Sequence, residues 1–138
     1  HTWTVNMTGV HLFKDMNPMA DLGCDSGCGA VIDTGTSLLM MPTSVVNMLE
    51  TVIGGMESDC RDLRTLPDLH FHLDGHEFSL PPDAYLSEAD PNTAAGFSSD
   101  LGIARIRTIG ESNQCQLTVM ESFSDTHWGP LWILGMPF

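Results

Sequence analysis

The chain has 138 residues, 42% of them apolar, with 13 glycines and 8 prolines, which is a one-domain length and a globular composition. Five basic against 18 acidic residues give a formal net charge of −13, and that field excludes nucleic acid as a ligand. No apolar run approaches the roughly 18 to 20 residues of a membrane-spanning helix. The start at His1, with neither an initiator Met nor a leader pattern, predicts a processed or truncated product.

In chain order, Trp3 to Leu12 alternates apolar and polar residues and predicts a strand, bent at Gly9. Asn6-Met7-Thr8 within it is a glycosylation sequon, a motif short enough to recur by chance. Ala30-Val31-Ile32 reads as a short buried strand running into Asp33-Thr34-Gly35, and Leu38 to Met41 as a second, stopped by Pro42. The period then changes. Val45, Val46, Met48, Leu49, Val52 and Ile53 share one helical face, with Thr43 or Ser44 able to cap its start and Gly54-Gly55 ending it. Leu69 to Leu80 predicts a hairpin turning at Asp74-Gly75 and ended by Pro81-Pro82. Residues 86–102 read as a loop, and Ile103 to Ile109, Gln116 to Phe123 and Leu131 to Leu134 as strands. Many short strands and one helix predict a mainly β domain over residues 1–138.

Four cysteines allow three pairings. The simplest is a tight Cys24–Cys28 loop and a long-range Cys60–Cys115 staple. The competing reading is a zinc site that uses His70, His72 and His76. Across a two-residue turn, however, His70 and His72 share one face and His76 takes the other, a poor three-histidine cluster. No metal or cofactor is therefore expected. Disulfides and the sequon at Asn6 together favour an oxidising lumen, an acidic vacuole-type compartment or the exterior.

Asp33 is the position where chemistry concentrates. A carboxylate directly after three apolar strand residues is costly to desolvate without hydrogen bonds. The hydroxyls of Thr34, Thr36 and Ser37 and the N–H groups of a turn opened by Gly35 can supply them, which would lower its pKa. An ordinary Asx-turn at a strand end would look the same over Asp-Thr-Gly alone.

The wider context separates the two readings. Ala30-Val31-Ile32-Asp33-Thr34-Gly35-Thr36-Ser37, the Leu38-Leu39 and Pro42 that follow, Leu66-Pro67-Asp68, Pro81-Pro82-Asp83-Ala84-Tyr85 and Trp132-Ile133-Leu134-Gly135 appear in order. Together they resemble the C-terminal lobe of the pepsin-like aspartic proteases. The resemblance implies one lobe of a bilobal β fold, a ψ-loop carrying Asp-Thr-Gly, and truncation at the C-terminus. It also supports the Cys24–Cys28 and Cys60–Cys115 pairing. By the same resemblance Asp33 is one of two catalytic aspartates, and Thr34 interlocks the two lobes. Gly35, Thr36 and Ser37 support the aspartate or contact substrate backbone. Ile133, Leu134 and Gly135 form the strand threaded through the Asp33 loop.

The chain departs from the family pattern in three ways. It stops at Phe138, where the family continues, which would leave sheet edges for another chain to cover. Residues 88–114 exceed the compact pattern, and Arg105 and Arg107 there are expected on one strand face, either solvated or docking an acidic partner. No second Asp-Thr-Gly and no flap with its tyrosine is present, and Tyr85 matches a structural position. The chain is thus expected to be half of an aspartic endopeptidase, with a polypeptide substrate once an N-terminal lobe completes it. A non-catalytic subunit of a larger assembly is the alternative, and pairing of two copies through their Asp-Thr-Gly loops a third arrangement. The strong negative charge suits work at low pH, where protonation relieves self-repulsion.

Overall fold

β1 (Trp3–Lys14) is the long strand that the alternation predicts, and it continues two residues past Leu12. Gly9 (φ +61°) lies at its bend, where the register with a neighbouring strand shifts between Thr8 and His11. The computed structural model describes residues 3–56, 60–88 and 115–138, together with the backbone of 104–109. After β1 come β2 (Asn17–Gly23), β3 (Cys28–Ile32), β4 (Leu39–Pro42), helix α1 (Thr43–Gly54), β5 (Asp68–Leu73) and β6 (His76–Leu80). β7 (Leu86–Glu88), β8 (Ala104–Ile109), β9 (Cys115–Ser122), β10 (Asp125–Thr126) and β11 (Gly129–Leu134) complete the order.

All the strands belong to one sheet, ordered β6-β5-β1-β3-β11-β4-β9-β7, with β2 on β1, β8 on β9 and β10 on β11. Its centre matters most. β11 lies between β3 and β4, parallel to the first and antiparallel to the second, so the segment joining β3 to β4 arches over the end of β11. That arch is the ψ-loop, and it carries Asp33.

The β5–β6 hairpin turns where Asp74-Gly75 predicts. Both turn residues have positive φ (48° and 82°), as a type I′ turn requires. Leu73 pairs with His76, His72 with Glu77 and His70 with Ser79, so His70 and His72 do share a face that His76 does not.

The core is the inner surface of the sheet under α1. Trp132, Tyr85, Phe71, Met7, Leu12, Leu39, Met41 and Leu49 are all fully buried there. Trp132 reaches it from the middle of β11, which anchors the threaded strand. α1 buries Val45, Val46, Leu49 and Ile53, four of its six expected apolar positions. Met48 instead turns to solvent, and Val52 is half-buried.

Neither Thr43 nor Ser44 caps α1. β4 runs directly into the helix through Pro42, which occupies the N-cap position without a side-chain hydrogen bond. Thr43 is already helical, and its hydroxyl donates to Oε2 of the buried Glu121 at 3.4 Å. Three strands depart from the sequence reading, among them the two-residue β10, which pairs with the start of β11. β2 was not expected, and residues 86–88 of the expected loop form β7 on β9. The remainder of that loop, 89–102, lies outside the described residues, as do the Arg105 and Arg107 side chains.

Both expected disulfides form. Cys24–Cys28 spans 4 residues and Cys60–Cys115 spans 55, the latter tying the segment after α1 to the start of β9. Closing a loop of that length constrains the unfolded chain by about 4 kcal/mol. Opening it by Cys60→Ser with Cys115→Ser is expected to lower the unfolding free energy by about that amount. Denaturant titration checks this, and a loss under 1 kcal/mol would contradict it.

Candidate active site

Asp33 follows the last residue of β3, at the point where the chain leaves the sheet. Its backbone N–H still donates to the Leu134 carbonyl at 3.1 Å, so β11 holds the residue from below. The turn that follows is closed by the Thr36 N–H donating to the Asp33 carbonyl at 3.2 Å. That turn aims two donors at the carboxylate. The Gly35 N–H donates to Oδ1 at 2.9 Å, and the Thr36 hydroxyl donates to Oδ2 at 2.8 Å. Both oxygens are therefore engaged from within the loop, and the carboxylate remains only half-buried.

These donors hold the Asp33 carboxyl below the ordinary aspartate value. The Thr36 hydroxyl is the larger cause and the Gly35 amide the second, while partial burial pulls weakly the other way. The expected low pKa is present, but its origin is narrower than three hydroxyls. Thr34 and Ser37 are exposed, and neither donates to Asp33. The tight turn brings residue 36 back over the carboxylate and leaves 34 and 37 pointing outward.

Thr36→Val removes the larger donor and is expected to raise the Asp33 pKa toward the ordinary value of about 3.9. Because the folded-state pKa is the lower one, this interaction stabilises the fold above the unfolded value and is lost as pH falls through the folded value. The valine variant should therefore be less stable at neutral pH and converge with the parent in strong acid. A carboxyl-carbon NMR titration measures the shift directly, and an unmoved Asp33 pKa would contradict the assignment.

The strand beneath the loop is paired on both sides. Leu134 pairs with Ile32 and Ile133 with Val31 on one side, and Ile133 with Met40 on the other. Just beyond the strand, the Met136 N–H donates to the Thr36 carbonyl at 2.8 Å. Gly135 passes so close under the loop that a Cβ would overlap the Leu38 and Thr36 carbonyl oxygens. No inspection of Trp132-Ile133-Leu134-Gly135 alone signals that requirement, because it depends on contacts about a hundred residues distant.

Other singled-out residues are not part of this cluster. Tyr85 is fully buried and donates to the Pro67 carbonyl at 2.6 Å, a structural bond, and burial pushes its pKa up. Asn6 is half-buried within β1, opposite Gly29, rather than at a loop tip. His70, His72 and His76 do not converge. The one ligand-type cluster among the described residues is elsewhere, where ligand atoms of His11, Asp21 and Asp25 lie within 4.8 Å of one another. His11 faces Asp21 at 3.9 Å, so an ion pair already accounts for the contact when the imidazole is protonated.

A mainly β lobe whose ψ-loop presents a hydrogen-bonded aspartate above a threaded strand has the architecture of an aspartic protease lobe. The family model of the eukaryotic aspartyl proteases matches residues 1–138, and the chain belongs to that family. It is 40% identical to pepsin A of Gallus gallus over 81 residues, covering 56% of this chain and 22% of that protein. Against pepsin A of Canis lupus familiaris the identity is 32% over 102 residues, 69% of this chain and 25% of the relative. Renin of the same species is 29% identical over 144 aligned residues, 99% of this chain and 30% of the relative. The chain thus spans under a third of the length of these relatives. The family supports a peptidase-type function, the two disulfides fit an oxidising compartment, and no helix among the described residues is long and apolar enough to cross a membrane.

Proposed function

We propose that residues 1–138 form the C-terminal lobe of an aspartic endopeptidase, in which Asp33 is one of two aspartates that activate water. The observation that carries this reading is the Asp33 carboxylate itself. It is half-buried, accepts hydrogen bonds from Gly35 N–H and the Thr36 hydroxyl, and is held at the end of a strand that cannot shift without unthreading β11. A carboxylate that stays ionised in mild acid is suited to be the charged member of an aspartate pair.

Two carboxylates a few ångströms apart cannot both ionise readily, so they share one proton. The ionised member acts as general base on a water molecule, which attacks the peptide carbonyl. The protonated member hydrogen-bonds the carbonyl oxygen and later supplies the proton to the leaving amine. Gly35 and Thr36 fix the orientation of the carboxylate, and the exposed Thr34 is free to engage the facing lobe. Ile133, Leu134 and Gly135 support the loop from beneath and touch no substrate. The second aspartate has no counterpart in this sequence, so a facing lobe supplies it.

The test is hydrolysis of an unstructured polypeptide by the full-length gene product at acid pH. Cleavage that depends on Asp33 supports the reading. A folded full-length protein that cleaves nothing across the acid range would favour the non-catalytic alternative.

A further inference from the structure

We propose that the cavity between the β1–β2 turn and the β5–β6 hairpin binds the guanidinium of an arginine side chain presented by a partner polypeptide. The cavity has a volume of about 290 Å³ and is lined by Phe13, Asp15, Met16, Asp68, His70 and Ser79. None of these residues belongs to the Asp33 loop or to the strand beneath it. The inference therefore stands independently of any role for Asp33.

Sheet register builds the wall. Phe13 lies opposite Asp68 across β1 and β5, and His70 lies opposite Ser79 across β5 and β6. The Phe13 and His70 rings stack at 4.4 Å with an interplanar angle of 12°, and His70 Nδ1 is 3.0 Å from Glu77 Oε1. The aromatic wall is thus held on both sides. The β1–β2 turn then folds over it, with Asp15 and Met16 at φ 51° and 65°. Met16 forms the rim and is 93% exposed.

Of the four polar side chains that line the cavity, Asp15 and Asp68 are acceptors only, the Ser79 hydroxyl can also accept, and His70 Nδ1 is already engaged by Glu77. Among the described residues, neither the Asp15 nor the Asp68 carboxylate has a hydrogen-bond or ion-pair partner, although Asp68 is half-buried. Such acceptors favour a ligand that is all donors. A guanidinium offers five N–H groups in a plane and stays charged at every relevant pH, and it packs well against aromatic and thioether groups. A chain with only 5 basic residues and a net charge of −13 has little of its own to place there, and its field attracts a cationic partner.

The test uses the full-length gene product carrying ¹³C-methyl methionine, titrated with N-acetyl-arginine methylamide. The Met16 methyl resonance, assigned by Met16→Leu, should move saturably while other exposed methionines such as Met19 and Met136 stay in place. The isosteric, uncharged citrulline analogue should leave it unmoved. Asp68→Asn should weaken binding about tenfold and Asp15→Asn about threefold, since charge-assisted hydrogen bonds are lost. Asp15→Asn changes only an exposed turn, so it remains informative if Asp68→Asn disturbs folding. The proposal is overturned if Met16 does not respond, if citrulline binds equally, or if both Asn variants bind like the parent. It is equally overturned if a lysine analogue matches arginine, or if all exposed methionines shift together, which would be diffuse attraction to an acidic surface.

Discussion

Asp33→Asn in the full-length protein is expected to cut peptide hydrolysis by at least about a thousandfold while lowering the melting temperature only slightly, by the loss of the ionised carboxylate's two charge-assisted hydrogen bonds. The magnitude follows from removing one member of an acid–base pair that acts as a unit. Asparagine is the informative replacement because it keeps the size and planarity of the side chain. Its carbonyl oxygen can still accept from the Gly35 N–H, and its amide can donate to the Thr36 hydroxyl, which accepts in place of donating. What the variant loses is the charge and the ability to take a proton from water. Retained activity would remove Asp33 from the chemistry, and a large loss of stability would mean that the carboxylate serves the fold instead.

Gly135→Ala should damage the molecule more than any other single methyl group added near the site. The new Cβ would overlap the Leu38 and Thr36 carbonyl oxygens, both of them backbone atoms of the loop that carries Asp33. Neither can swing aside as a side-chain tip would. The Thr36 carbonyl is pinned by the Met136 N–H, and the Asp33 N–H is bonded to the Leu134 carbonyl. Relief requires withdrawing β11 from between β3 and β4, which dismantles the sheet's centre and exposes Trp132. A destabilisation on the order of 5 kcal/mol, or outright failure to fold, is expected from backbone overlap of this kind. Chemical denaturation checks it, and a stability within 1 kcal/mol of the parent would show that the loop can move after all. A folded Gly135→Ala protein should also lose the low Asp33 pKa, because a displaced Thr36 cannot reach Oδ2.

The elements that are legible in the sequence are those whose signals are local. The apolar face of α1, the Asp74-Gly75 turn and the alternation of β1 each follow from spacing within a few residues. β2 was missed because Pro18, its exposed Met19 and its acidic Asp21 break the strand pattern; pairing with β1 overrides that. β7 is three residues long, too short to carry a period. At the site, an aspartate after three apolar residues and followed by hydroxyls marks Asp33 as a candidate only, and it is the ordered markers from Leu66-Pro67-Asp68 to Trp132-Ile133-Leu134-Gly135 that separate it from an ordinary Asx-turn. Which hydroxyl would reach it was not legible, since that choice is made by the turn joining Thr36 N–H to the Asp33 carbonyl. The need for glycine at 135 and the pairing of Phe13 with Asp68 were also hidden. Both depend on register between segments far apart in the chain, and the second on a bulge between Thr8 and His11.

On the proposed function, Asp33 shares a proton with a second aspartate across a two-lobed site. The direct measurement is the pH dependence of peptide hydrolysis by the full-length protein between about pH 2 and 8. A shared proton predicts a bell with its maximum on the acid side: activity falls in strong acid as the ionised aspartate is protonated, and falls toward neutrality as the shared proton leaves. Asp33→Asn should abolish the whole bell. Activity that rises through neutrality to a plateau, or a bell that survives in Asp33→Asn, would contradict it.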